Sequence, residues 1–260
     1  MQLPNYHSSS PEQQAYQPGK QALSGKTVLI SGATGGLGTV LSQNCAAAGA
    51  CVVLAGRSMK KLEKLYDSIS ADSELEPVIV ELQQDKAGPN EYAELAELLK
   101  TQVGGLDALV HCSADLGTPT PLDHIEHSEW MRVMNVNLTA ARLLTLNCLP
   151  LLQQSELGSI TFLLDNKTTA FWGGYGVSKQ ALQTFMHMLA DETKNKCAPD
   201  GNPIVAVNGY NPGPIRTPMR RRSFPGELET ETPLPQTRLG PLLSLLARTN
   251  RQTTGIALAY

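Results

Sequence analysis

The chain has no apolar run long enough to cross a bilayer, and no basic N-terminal segment leads into an apolar core. Membrane spanning and secretion are therefore not expected, and the reading is a cytoplasmic protein. Charge of one sign is also missing. Asp plus Glu number 24 against 21 Lys plus Arg, for a formal charge of −3. That balance gives no electrostatic footprint for nucleic acid. The five cysteines (45, 51, 112, 148 and 197) have no Cys-x-x-Cys or His-rich spacing. They read as small hydrophobes in a reducing compartment, with no metal set and no disulfide frame. No internal repeat is visible.

What is present suits one α/β domain. A length of 260 residues can bury a full core. Residues 1–24 are polar, with prolines at 4, 11 and 18 and serines at 8 to 10. They read as a disordered leader ahead of a domain over 25–260. From there, strand-like runs near Val28, Val52, Val78, Ala108, Ile160, Ile204 and Ile256 alternate with helical stretches. The helices are expected near Thr39–Ala48, Lys60–Ser70, Glu91–Val103, Ser128–Leu152, Tyr175–Lys196 and Pro241–Ala247. Such alternation predicts a single-domain, doubly wound Rossmann fold with a mostly parallel seven-stranded sheet.

Two motifs carry chemistry. The first is Thr27-Val-Leu-Ile-Ser-Gly-Ala-Thr-Gly-Gly-Leu-Gly38. Glycines 32, 35, 36 and 38 cluster where an apolar strand should turn into a helix. Glycine admits positive φ and lets a phosphate reach the backbone, and the helix N-terminus offers free N–H groups. A plain flexible turn is the competing reading, and the following strand at Cys51–Ala55 argues for a βαβ nucleotide unit. The second motif is Tyr175 with Lys179, four residues apart and hence on one helix face. An ammonium beside a phenol should lower its pKa toward a working acid-base range. The bland alternative is a solvated face with a snorkelling lysine.

Together these residues resemble the short-chain dehydrogenase/reductase family. Ser31, Gly32, Gly36 and Gly38 match its glycine pattern, and Tyr175 and Lys179 match its Tyr-x-x-x-Lys. Asn211, Pro212, Gly213 and Thr217 match its Asn-Pro-Gly segment. The stretch through Ser223-Phe-Pro resembles a bacterial YciK-like branch. The resemblance implies hydride transfer between a carbonyl and an alcohol. Catalytic residues would be Tyr175, Lys179 and Asn137, the last holding a water that links Lys179 to solvent. The cofactor would be held by Gly32, Thr34, Gly36, Leu37, Gly38, Arg57, Ser58, Lys179, Pro212, Gly213 and Thr217. The family's long helices pair across a twofold axis, which implies a homodimer.

The strand end at Ala55-Gly-Arg57-Ser58 has no acid to accept from ribose hydroxyls. Arg57 and Ser58 suit a 2′-phosphate instead, so NADP(H) is favoured over NAD(H). Glu81 is expected beside the adenine. Arg220-Arg-Arg222 reads as a loop, either an anion clamp or a solvated surface. Two departures from the family stand out. His111-Cys-Ser-Ala114 replaces its Asn-Asn-Ala-Gly, and no serine stands before the tyrosine. Asp165, Asn166, Thr168 or Thr169 would have to serve in that place, across a shortened connection. An asparagine or threonine could donate to a substrate oxygen, whereas a carboxylate could only accept. The reading is an NADP-preferring oxidoreductase acting on a small carbonyl or alcohol. The alternatives are an impaired relative that binds NADP(H) as a sensor or scaffold, and a structural protein without a nucleotide.

Overall fold

The apolar runs become strands because neighbouring positions point to opposite faces and both faces are covered. In β2 (Thr27–Ser31), Val28 and Ile30 enter one core while Leu29 enters the other. The computed structural model describes residues 6–196, 201–248 and 252–260, and Cys197 and the first five residues lie outside that set. Its strands are β1 (Tyr6–Ser8), β2, β3 (Cys51–Gly56), β4 (Val78–Glu81), β5 (Ala108–His111), β6 (Ser159–Leu163), β7 (Ala206–Asn211) and β8 (Ala257–Ala259). They form one sheet in the order β1-β8-β7-β6-β5-β2-β3-β4, and every pair is parallel. The order reverses between β2 and β5, where Ser31 stands opposite His111. In such sheets a crevice opens beyond the carboxyl ends of the strands at this switch point.

Helices α2 (Gly36–Ala47), α3 (Met59–Ser70) and α9 (Gly240–Leu246) cover one face. The other is covered by α4 (Pro89–Leu98), α6 (Ala140–Leu152) and α7 (Gly173–Lys194). The helix expected over Ser128–Leu152 runs as α5 (His127–Met134), a wider π turn at Asn135–Thr139, and α6. A π turn of this kind is a common local device at functional sites, and here it carries Asn137.

Two expectations are corrected. Among the described residues the sheet has eight strands, not seven, and residues 6–8 of the expected leader supply β1. Tyr6 pairs with Ala257, and the Ser9 amide donates to the Ala259 carbonyl at 2.7 Å. Then α1 (Pro11–Gln14) starts with a capping box, in which Ser10 and Gln13 exchange side-chain and main-chain bonds at 3.2 and 2.9 Å. Leu23 is fully buried. Polar composition misleads here because an edge strand draws its stability from main-chain pairing and needs few apolar side chains. The Arg220–Arg222 stretch is likewise helical, within α8 (Pro218–Ser223). Thr217 caps it by accepting from the Arg220 amide at 3.1 Å, and Pro218 fills the first turn.

Candidate active site

One cavity of about 680 Å³ opens beyond the strand ends at the switch point. At one side β2 breaks into the glycine turn. Gly32 has φ 68°, and a Cβ there would stand 2.7 Å from the Ser113 nitrogen. A Cβ on Gly36 would meet Thr217 Cγ2 at 2.5 Å, and one on Gly38 would meet the Gly32 carbonyl oxygen at 2.2 Å. Only bare backbone fits at these three positions. Helix α2 begins at Gly36 with Gly35 as its cap and no side-chain bond to its first amides. Those amides are free to hold an anion, so the cradle suits a pyrophosphate. Thr34, Leu37, Pro212, Gly213 and Thr217 line the same space.

At the far end stand Arg57, Ser58 and Lys61. Ser58 begins α3 without spending its hydroxyl on the cap. Lys61 is a second cation that the strand-end motif did not single out, although it lies one helical turn along on the same face as Ser58. Glu81 does not line this cavity; Leu82, Gln84 and Asp85 do. Strand β4 ends at Glu81 with that side chain exposed, so the acid facing the cavity comes four residues later, at Asp85.

The opposite end holds the tyrosine. Helix α7 places Tyr175 and Lys179 on its buried face, 7% and 3% exposed. The phenol donates to Asp165 Oδ2 at 3.0 Å. Asp165 Oδ1 accepts from the Asn166 amide at 2.8 Å. Lys179 Nζ donates to the Leu163 carbonyl at 2.7 Å and lies 5.9 Å from the centre of the tyrosine ring. The expected lowering of the phenol pKa by Lys179 is therefore corrected. Burial, then the Asp165 charge and the bond to it, hold the Tyr175 pKa well above its usual value. Burial also pulls the Lys179 ammonium down to about 8, against the opposing charge of Asp165. Of the four candidates for the serine's place, Asp165 contacts the phenol and Asn166 lines the same cavity, while Thr168 and Thr169 are exposed and do not line it.

Asn137 is bonded on both sides within the chain. Its Oδ1 accepts from the Asp115 amide at 2.6 Å. Its Nδ2 donates to the Asp115 carbonyl at 2.8 Å and to Ser178 Oγ at 2.9 Å. It thereby ties the loop after β5 to α7, and Lys179 finds its partner in β6 instead. Asp115 itself pairs with Arg132. His111, in the place of an asparagine, stacks on Phe162 with centroids 4.7 Å apart, and its Nε2 lies 2.8 Å from Thr145 Oγ1. Burial and then Lys179 push its pKa down to about 3, so the ring is neutral.

Sequence reasoning did not find the aromatic wall. Trp172 lies 5.8 Å from Tyr175 and 5.9 Å from Phe224, centroid to centroid, and Tyr260 also lines the cavity. The available signal was Trp172 three residues before the tyrosine. Arg220 lines the cavity with Arg222 and is itself paired within the chain. Its Nε and Nη2 reach Glu227 at 2.8 and 2.6 Å, and its guanidinium covers Phe224 at 3.6 Å. That bond to Arg220 holds the Glu227 carboxyl down at about 2.

A glycine cradle and a buried Tyr–Lys pair on one parallel sheet now invite comparison with known proteins. The short chain dehydrogenase family model matches residues 26–228. The chain belongs to the short-chain dehydrogenase/reductase family. Within it, the chain is 31% identical over 244 residues to the uncharacterized oxidoreductase YciK of Escherichia coli K12, covering 93% of this chain and 94% of that one. A structure from Shigella flexneri 2a, complexed with NADP, matches with a TM-score of 0.86 at 30% identity, over 93% of this chain and 99% of that one. Another from Escherichia coli CFT073, complexed with NADPH, matches with a TM-score of 0.87 at 30% identity and the same coverage. Among the described residues of this family member, no helix is long and apolar enough to cross a membrane.

Proposed function

We propose that the chain is an NADP(H)-preferring oxidoreductase that moves a hydride between the dinucleotide and a carbonyl-type carbon, with Tyr175 as its acid–base group. One observation carries this reading: Tyr175 and Lys179 face the same cavity as the glycine cradle and Arg57. When bound, the dinucleotide supplies the hydride. The α2 N-terminus holds its pyrophosphate, and Arg57, Ser58 and Lys61 receive a 2′-phosphate. The NADP and NADPH bound by the two similar structures support that preference. Lys179 supplies a buried positive charge below the nicotinamide end. Tyr175 keeps its proton at neutral pH, which suits a proton donor and hence the reductive direction.

The Tyr175–Asp165 bond also favours a second reading. A phenol occupied by a carboxylate fits a protein that binds NADP(H) as a sensor or scaffold without turnover. Titration with NADPH and NADH, followed by an acceptor screen, separates the two. Tyr175→Phe should leave NADPH affinity intact and cut turnover by roughly 10²–10⁴-fold, the usual worth of a positioned proton donor. Equally slow turnover by both proteins would remove the enzyme reading and leave the scaffold. The long helices leave Met131, Leu146, Val177 and Met188 exposed, while Leu182 and Leu189 are used in the chain's own core. We extend the proposal to a homodimer through that face, and a monomer by light scattering at micromolar concentration would contradict it.

A further inference from the structure

Resting on the reductase reading, we propose that the acceptor is a carbon–nitrogen double bond, bound as its protonated iminium, with Asp165 holding the N–H. The decisive feature is what surrounds the tyrosine. A carbonyl oxygen gathers negative charge as hydride reaches its carbon, and it needs donors. Here the position that would supply a second donor carries a carboxylate, 3.0 Å from the phenol oxygen. A carboxylate offers only lone pairs, and it opposes a developing alkoxide. The phenol's single proton is already directed at Asp165. Beside the phenol a carbonyl oxygen would thus meet an occupied donor and a negative charge, although Ser113 and Asn166 also line the cavity.

An iminium reverses every sign in that account. It is positive, it donates, and it loses its charge as hydride adds. Among the described residues Asp165 has no ion-pair partner, whereas Asp115, the other carboxylate at this end of the cavity, is paired with Arg132. The Lys179 ammonium is turned to the Leu163 carbonyl rather than to Asp165. Asp165 therefore has no direct ion pair at the reaction end, and the Lys179 charge reaches it only through space. Trp172 and Phe224 wall the same space, and each already carries a cation on its face, Lys167 at 5.1 Å and Arg220 at 3.6 Å. Those faces are already occupied, so a flat ring would meet these walls by apolar contact, and its charge would be met by Asp165 alone.

The step balances with Tyr175 as the proton source: its phenol gives a proton to the imine nitrogen to form the iminium, and solvent returns one to the phenolate after turnover. The iminium carbon gains a hydride from the reduced nicotinamide, a new C–H bond forms, and the C=N π pair withdraws to nitrogen. The product is a neutral amine whose N–H still points at Asp165. The dinucleotide is oxidised by two electrons as the C=N bond is reduced by two.

The test sets 3,4-dihydroisoquinoline against its ketone counterpart 1-tetralone, with NADPH at neutral pH, in the full chain. Wild type should reduce the imine at least tenfold faster. Asp165→Ser, which exchanges an acceptor for a donor, should reverse the order. In a second measurement that needs no turnover, the protein loaded with NADP should bind 1,2,3,4-tetrahydroisoquinoline. Asp165→Asn should weaken that binding roughly tenfold or more, as expected for a lost charge-assisted bond, with NADPH affinity unchanged. Faster ketone than imine reduction by wild type would overturn the inference and leave the reductase reading standing. Amine binding indifferent to Asp165→Asn would overturn it as well. Reduction of neither compound, nor of any acceptor in the wider screen, would bring down the reductase reading and this inference with it.

Discussion

The two ends of the cavity are built on different principles. The cofactor end is defined by what cannot be added: three glycines where a Cβ would stand 2.2 to 2.7 Å from a neighbouring atom. The reaction end is defined by what has been exchanged, with Asp165 on the phenol and His111 stacked on Phe162. A backbone cradle tolerates little change, because at Gly32 and Gly38 overpacking would fall on main-chain atoms with no soft partner to yield, and at Gly36 on the Thr217 side chain that caps α8. Side-chain sites can be rewritten one residue at a time while the sheet beneath them stays the same. The family resemblance therefore lives at one end, and the individual chemistry at the other.

For cofactor affinity, breaking the cofactor end should have the larger effect. Arg57→Ala is expected to cost NADPH about 1.5–3 kcal/mol of affinity and NADH almost nothing, as for a lost charge-assisted bond. Isothermal titration with both cofactors reads it, and equal losses would remove the 2′-phosphate argument. A Lys61→Ala variant with the same selective pattern would show the two cations acting together.

The reaction end can be probed through pH. In the fold His111 stays unprotonated down to about 3, while an unfolded histidine takes up its proton near 6.5. The unfolded state thus binds more protons between those values, and stability falls as pH drops through that window. The contribution of His111 should shrink by about 1 kcal/mol between pH 7 and pH 5.5. Urea titrations of wild type and His111→Asn at both pH values check it. A parallel decline in the two proteins would place the acid sensitivity elsewhere.

The smallest effect should come from the connection into α7. Phe171 has φ 72° and is 57% exposed, so its ring adds little to the core while its backbone sits in the left-handed region. Phe171→Gly should raise stability by less than about 1 kcal/mol, the left-handed penalty being partly offset by glycine's own entropy. A lowered denaturation midpoint would mean that the ring contributes more than its exposure suggests.

Much of this was readable beforehand, for identifiable reasons. Strands β2, β3 and β5 and the glycine turn are local patterns, and the Tyr175–Lys179 spacing is a local helix fact. The choice of Asp165 over Asn166, Thr168 and Thr169 was not readable, because it depends on how the shortened loop approaches α7. The direction of the phenol's pKa was misjudged for the same reason. Four residues of spacing place Lys179 near the ring, but the carbonyl of Leu163, from a strand sixteen residues upstream, captures its ammonium. The edge strand over Tyr6–Ser8 was not readable because edge pairing leaves no apolar signature, and the cap of α8 was overlooked although Thr217-Pro218 announced it.

The partnership of β1 with β8 has a temporal consequence. Tyr6 and Ala257 lie almost the whole chain apart, so a nascent polypeptide carries its first strand unpaired until its last has emerged. Contacts of such long sequence separation form late and open early. Ala259 and Tyr260, which line the cavity, are anchored in part by the Ser9 amide. Amide exchange should therefore find β1 and β8 loosening as a unit, and with them one wall of the cavity, while the glycine turn at the centre of the sheet stays closed.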